Sequence, residues 1–538
     1  MTDYRSIVPF SEFPESLEDQ KTALVANPLL QRMLRARDAF AGDRYRPAYH
    51  YVTPESTLND PNGLCFWQGR WHLFYQGYPP EDPREHWGHA VSDDLIHWRD
   101  LPYAIYPGPE RCCFSGSTLV EGDRVIAMYH GTRAGNMVAV SSDPLLLNWS
   151  KVSGRAVIPL EAKDGTALPY PVFDPCIWSK DGVYYSLSGG AKPEGMVSNP
   201  VRAHHLFRSI DLEHWEYMHP FVEDDRVTSI GDNGHCPYFW PIGDRHMLLF
   251  FSSMSGGQYL LGDYDTVRDK FVVAGGGKFN HGATHPSGVH APSASPDGQG
   301  GLIAIFNMNP GKATEGWDQI MTLPRRLTLQ EAEVHIEPAG DIESLRTTHV
   351  EVGPLTLPAN EEVVLDEVSG DALELSLDID PQDATQVEVN VLRSPGREEY
   401  TRIAFFRDRG FRPRRWNDAG GFQPDAANGW GYNMEKTARS VLVMDSSYAS
   451  TAADVRSRPP EMAQLMLGPN EPLRLRVFID RSVVEVFANG RQCVAVRVYP
   501  ERADSVGVSL RSQGADAVVQ SMDAWQMRSI WREPLHAS

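Results

Sequence analysis

The sequence predicts an all-β protein in two parts, and three observations carry that prediction. From Tyr49 to about Asn309, short aromatic and β-branched runs ("RWHLFYQGY", "RVIAMYHGT", "GVYYSLSGG", "HMLLFFSSM", "GLIAIFNMN") alternate with turns rich in Gly, Pro, Asp and Asn. Within that stretch a strand is followed by Ser-x-Asp-Leu-x-x-Trp at Ser92 to Trp98 and again at Ser209 to Trp215, with a related "SSDPLLLNW" from Ser141 to Trp149. After about residue 346 the texture shifts to strict period-two alternation, as in "PLRLRVFIDRSVVEVFANG" and "RQCVAVRVYP", with Asn489-Gly490 at a hairpin turn.

Each part follows in order. Residues 1–47 read as an extension, partly helical because Leu24, Leu29, Leu30, Met33 and Leu34 fall at helical spacing. Residues 48–345 carry the repeat of strands, turn and Trp, which describes four-stranded blades around an axis; a plain sandwich is the alternative the pattern leaves open. Residues 346–538 read as a β-sandwich whose strands bury one face.

Composition bounds the function. A chain of 538 residues exceeds one ordinary core, and its 41% hydrophobic, 10% aromatic and 22% charged content fits a packed globular protein. A formal charge of −21, from 50 basic and 71 acidic residues, repels phosphate backbones and anionic membranes, so neither nucleic acid nor membrane is an expected partner. The cysteines Cys65, Cys112, Cys113, Cys176, Cys236 and Cys493 form no C-x-x-C spacing and read as buried thiols. No basic, apolar leader opens the chain and no run approaches a ~20-residue membrane span, so a cytoplasmic location is expected if Met1 is the natural start. No segment specifies an oligomeric state.

Two Asp-Pro pairs stand immediately before aromatic strands: Asp60 in "NDPNGL" and Asp174 in "VFDPCIW". A single Asp-Pro is ordinary turn chemistry, with the side chain bonded to nearby backbone N–H groups. Two at equivalent places in different blades converge on one axis, where paired carboxylates can do glycosidic chemistry.

The phrases "NDPNGL", "LFYQ", "HWGHAVSDDLIHW", "FSGS", "FDPCIW", "HCPYFWP" and "LRVFIDRSVVEVFANG" occur in the order found in glycoside hydrolase family 32, which the chain resembles from about Tyr49 to Trp531. The resemblance implies a five-bladed propeller followed by a β-sandwich, retaining action on a terminal β-fructofuranosyl unit of a small carbohydrate, and no metal or other cofactor. By motif match it makes Asp60 the nucleophile and Asp174 the stabiliser of the transition state, with Asn59, Gln76, Trp87, Phe114 and Ser115 lining the sugar pocket.

Three positions depart from the family pattern. Thr57 stands where a Trp is usual, and Phe173 replaces the Arg before Asp174, offering a face on which a sugar can stack. His235 takes the place of the acid/base Glu. A histidine near its ordinary pKa of ~6.5 can donate a proton at neutral pH. Asp232, a carboxylate from elsewhere, or no acid at all are the alternatives. These changes point to a substrate other than ordinary sucrose or fructan. A transfructosylating relative, or a carbohydrate-binding protein without turnover, is the competing reading.

Three further features read as structural. His281, His285 and His290 lie in a Gly, Pro and Ser-rich passage that lacks a carboxylate pattern for a metal and borders the pocket mouth. Asp480 and Glu485, five apart, fall on opposite faces of a strand in the sandwich. Cys112-Cys113, beside "FSGS", reads as packing.

Overall fold

The computed structural model describes residues 4–162, 164–166, 168–190, 204–229, 231–411 and 438–531. The chain divides into two compact units: residues up to Leu345 together with those from Arg528 onward, and Arg346–Met527.

The first unit contains five sheets, opened by the strands Leu58–Trp67, Cys113–Glu121, Asp174–Lys180, His235–Ile242 and Val289–Pro296. Each pairs antiparallel with the next long strand of its own sheet. These five opening strands pack against one another in cyclic order, the fifth returning to the first, so the sheets are the blades of a five-bladed propeller.

Blade faces bury against their neighbours, which is why the runs read as continuously apolar. Phe74 and Trp87 of the first blade meet Val125 and Tyr129 of the second, and Met128 meets Ile177 and Phe207 of the third. Trp178 meets Phe239 and Leu248 of the fourth, and Ile303 and Ile305 of the fifth close on Leu58 and Leu73 of the first. Each such side chain contributes roughly 1.5–3 kcal/mol by leaving water.

The recurring Trp phrase is the turn between the third and fourth strands of the first three blades. In each copy the aspartate accepts from backbone N–H groups just ahead of it: Asp94 from Ile96 (2.9 Å), Asp143 from Leu147 (3.0 Å) and Asp211 from His214 (2.8 Å). In each, a leucine takes a left-handed conformation, at φ 71° for Leu95, 51° for Leu146 and 69° for Leu212. That conformation is costly for a branched residue and is held by burial and the aspartate bonds.

Helices Leu17–Ala26 and Pro28–Ala39 precede the first blade; Ser16 caps one and Asn27 the other, accepting from Leu30 N at 2.9 Å. Leu24 and Leu30 pack on Val91 and Leu101 of that blade, and Arg37 forms a buried ion pair with Asp100 at 2.7 Å. Residues from Arg528 leave the region assigned to the sandwich. Ile530 N donates to Ala48 O at 3.1 Å, and Trp531 lies 3.5 Å beneath the Arg37 guanidinium, which ties this segment to the first unit.

Among the described residues the second unit is a sandwich of a seven-stranded and a six-stranded sheet. Leu375, Val477 and Val486 of one sheet and Val389, Ile403 and Leu510 of the other form its core. Asn489 (φ 50°) and Gly490 (φ 64°) turn the chain as their types allow. One expectation is corrected here. Asp480 and Glu485 do not share a strand, because the turn at Arg481-Ser482 puts them on Leu473–Asp480 and Val483–Ala488, both fully buried. No helix among the described residues is long and apolar enough to cross a membrane.

Candidate active site

The site lies where the opening strands begin around the propeller axis. Four of these strands carry a register shift within their first residues, between Leu58 and Pro61, Cys113 and Gly116, His235 and Tyr238, and Val289 and Pro292. An irregularity of this kind releases one residue from the ladder and re-aims its side chain. The residues so released include Asp60, Ser115, Cys236 and His290; Asp174 reaches the same region as the first residue of its strand.

Asp60 is buried and its two oxygens are treated differently. Oδ2 accepts from Ser115 Oγ at 2.6 Å and from Gln76 Nε2 at 3.4 Å, and lies 3.5 Å from the Cys236 thiol. Oδ1 is buried and accepts no aligned hydrogen bond, although His290 Nδ1 lies 3.3 Å away. Burial pushes the Asp60 carboxyl up, but the His290 contact and charge, with the bonds from Ser115 and Cys236, outweigh it and hold the group below its ordinary value. A carboxylate locked by one oxygen and left open at the other is arranged to use the open one.

Asp174 repeats the arrangement. Its Oδ2 accepts from Cys236 N at 3.0 Å and faces His235 Nδ1 at 3.3 Å, with the Cys236 thiol at 3.7 Å. Cys236 thus joins the two aspartates. Burial first, then the Asp60 and Asp174 charges, push its thiol well above the ordinary range, so it stays an S–H donor.

The expected sugar-pocket residues divide. Asn59 donates to Gln76 Oε1 at 3.1 Å, and Gln76 donates to Ser115 Oγ at 2.8 Å, so Asn59, Gln76 and Ser115 share the Asp60 network. Half-buried Phe114 and Phe173 flank His130, at 6.2 and 4.5 Å between ring centroids. Trp87 differs from its expectation: it is 0% exposed, packs on Phe74 and Tyr129, and donates to Phe114 O at 2.9 Å. It supports the second blade's entry from beneath.

His235 packs edge-on to Phe173 at 5.3 Å. Gly190, at φ +98°, makes room for its ring, since a Cβ there would stand 2.3 Å from His235 Nδ1. Asp232 is fully buried and accepts from Ser252 Oγ and Ser229 N, both at 2.7 Å, and also from Ser255, which fixes it away from the two aspartates. Thr57 donates to the Asp318 carboxylate.

Reading motifs along the chain missed His290, Asn307, Gln319 and Tyr78 as site residues. Asn307 and Gln319 donate to Asn59 Oδ1 at 3.1 and 3.2 Å. Burial, the charges of Glu85 and Asp60, and a bond to Glu85 hold the Tyr78 phenol protonated against the opposing bond to Asn59. One signal was available for His290: "HAP" at 290–292 repeats the x-x-Pro opening of "NDP", "FDP" and "HCP". Among the described residues no group of three or more His, Cys, Asp or Glu side chains is disposed to hold a metal ion.

Two buried aspartates thus converge where the opening strands begin, joined through Cys236. The model for the glycosyl hydrolases family 32 N-terminal domain matches residues 50–338, and that for the family's C-terminal domain matches 341–526. The chain belongs to glycoside hydrolase family 32 and is a β-fructofuranosidase-like hydrolase. It is 28% identical to a sucrose-6-phosphate hydrolase of Escherichia coli, over 90% of this chain and 96% of that one. A levanase of Bacillus subtilis is 25% identical, over 92% of this chain and 72% of the levanase. In fold it is similar to fructan 1-exohydrolase IIa of Cichorium intybus, with a TM-score of 0.74 at 21% identity, over 90% of this chain and 98% of that structure. Relatives of this fold have been solved in complex with 1-kestose and with sucrose.

Proposed function

We propose that this protein hydrolyses a terminal fructosyl-type furanoside with retention of configuration, using Asp60 as the nucleophile. The observation that carries the reading is the asymmetry of Asp60, whose Oδ2 is held by Ser115 and Gln76 while Oδ1 accepts no aligned bond. In the first step Oδ1 attacks the anomeric carbon and the bond to the leaving oxygen breaks. In the second step water attacks the same carbon and Asp60 leaves as a carboxylate.

Asp174 stabilises the transition state. Its Oδ2 is fixed by Cys236 N, which leaves Oδ1 to bond sugar hydroxyls as positive charge develops on the ring. Phe173, where the family has arginine, gives the sugar an apolar face in place of a guanidinium fork. His235 stands at the family's acid/base position with Nδ1 toward Asp174. These two changes support a substrate other than plain sucrose or fructan.

The test is turnover of a panel of sucrose, inulin, levan and aryl β-fructofuranosides by the native protein and by Asp60→Ala. Turnover that vanishes in Asp60→Ala, with the initial product retaining the β configuration, supports the reading. Full rate in Asp60→Ala, or an inverted product, defeats it.

A further inference from the structure

We propose that His290, rather than His235, is the acid/base residue of this site. The proposal rests on the retaining mechanism above and adds the residue that moves the proton.

The hydrogen-bond networks of the two histidines decide between them. At His235, the Asn233 amide has its orientation fixed because Oδ1 accepts from Ser253 N at 3.0 Å. Its Nδ2 therefore donates, to Ser253 Oγ at 2.6 Å and to His235 Nε2 at 2.8 Å. His235 Nε2 accepts, so the ring hydrogen sits on Nδ1, facing Asp174 at 3.3 Å. Both ring nitrogens are occupied. A second proton on Nε2 would point at an amide that is itself a donor.

At His290 the same reasoning gives the opposite result. The Asn307 amide is fixed by Ala291 N, which donates to Asn307 Oδ1 at 2.9 Å. Its Nδ2 uses its two hydrogens on Gln319 Oε1 at 2.7 Å and Asn59 Oδ1 at 3.1 Å. Asn307 Nδ2 also lies 3.3 Å from His290 Nδ1 but has no hydrogen left for it. Nδ1 therefore carries the ring hydrogen, and it stands 3.3 Å from Asp60 Oδ1 without an aligned hydrogen bond. Every polar contact of the ring runs through Nδ1, and Nε2 is neither bonded nor sealed from solvent among the described residues. Phe251, edge-on at 4.1 Å, holds the ring.

Nε2 is thus the nitrogen that can gain and lose a proton without disturbing its neighbours. In the first step Nε2–H of the imidazolium protonates the leaving oxygen as that oxygen takes the electron pair of the breaking C–O bond, while Asp60 Oδ1 bonds to the anomeric carbon. In the second step neutral Nε2 takes a proton from the attacking water as the ester to Asp60 breaks. Among the described residues, the titratable groups facing the ring are Asp60, 3.3 Å from Nδ1, and His285 in the preceding loop, at 5.8 Å between centroids.

The experiment compares wild type, Asp60→Ala, His290→Gln and His235→Gln on the unactivated glycoside of the panel that the wild type turns over fastest, with a poor leaving group, and on 4-nitrophenyl β-D-fructofuranoside, with a good one. His290→Gln should lose roughly 10²–10⁴-fold in kcat/KM on the unactivated glycoside and less than about tenfold on the aryl substrate. His235→Gln should lose the same factor on both. If His290→Gln does not fold, His290→Asn is measured on the same two substrates and should show the same selective loss on the poor leaving group. Equal losses on the two substrates in the His290 variant that folds, or a selective loss in His235→Gln, overturns the proposal. Full rate in Asp60→Ala instead overturns the nucleophile reading on which it stands.

Discussion

The fourth and fifth blades enter the site with the same phrase, His-x-Pro, and use the histidine in opposite ways. His235 has its ring closed between Asn233 and Asp174, whereas His290 has one nitrogen facing Asp60 without an aligned bond and the other open. The residues behind each ring make the difference. Asn233 has a hydrogen to spare and occupies His235 Nε2, whereas Asn307 lies on the Nδ1 side of His290 and no described residue bonds His290 Nε2. On the proposed assignment the partners of each ring nitrogen, rather than position in a motif, select the proton donor.

Replacements should break this contrast in a graded order. Asp60→Ala removes the covalent path and should cost on the order of 10⁴–10⁶-fold in kcat on any substrate turned over, read by initial rates. His290→Gln comes next, with its loss concentrated on poor leaving groups. His235→Gln removes one charge-assisted contact to Asp174, worth about 1.5–3 kcal/mol, so roughly 10–100-fold is expected, independent of leaving group. Cys236→Ser keeps a donor between the aspartates and should cost less than about tenfold in kcat/KM. The raised thiol of Cys236 also predicts that iodoacetamide at pH 8 does not label it in the folded protein, checked by peptide mass mapping.

The acid side sharpens the contrast further. Asp60 is held below the ordinary carboxylate range, so it stays ionised as pH falls through ~3.9 and loses its charge only at lower pH. On the aryl substrate, which needs little protonation, kcat/KM should stay level from neutrality to about pH 4. A drop centred well above that value would mean that a different group sets the nucleophile's charge.

Much of this was legible in the sequence for a physical reason. Blade faces are buried on both sides, so their strands read as aromatic runs, and the Asp-capped turn with its left-handed leucine leaves a visible Ser-x-Asp-Leu-x-x-Trp phrase. Asp60 and Asp174 were legible because a proline follows each. His290 was harder to see, since its Gly and Pro-rich approach resembles a loop, and its role depends on Asn307 and Gln319, which follow it by 17 and 29 positions. Trp87 looked like a pocket residue from its motif, but its indole is turned beneath Phe114. Asp480 and Glu485 looked like one strand because alternation continues through the Arg481-Ser482 turn.

The most direct test is to trap the sugar on the enzyme. In His290→Gln, an aryl β-fructofuranoside should load Asp60 quickly while the water step, lacking its base, is slow. Rapid acid quench and peptide mass spectrometry should then find one anhydro-sugar unit on the peptide containing Asp60, with a burst of nitrophenol equal to the enzyme present. An adduct on another residue, or a linear release of nitrophenol with no adduct, would contradict the account.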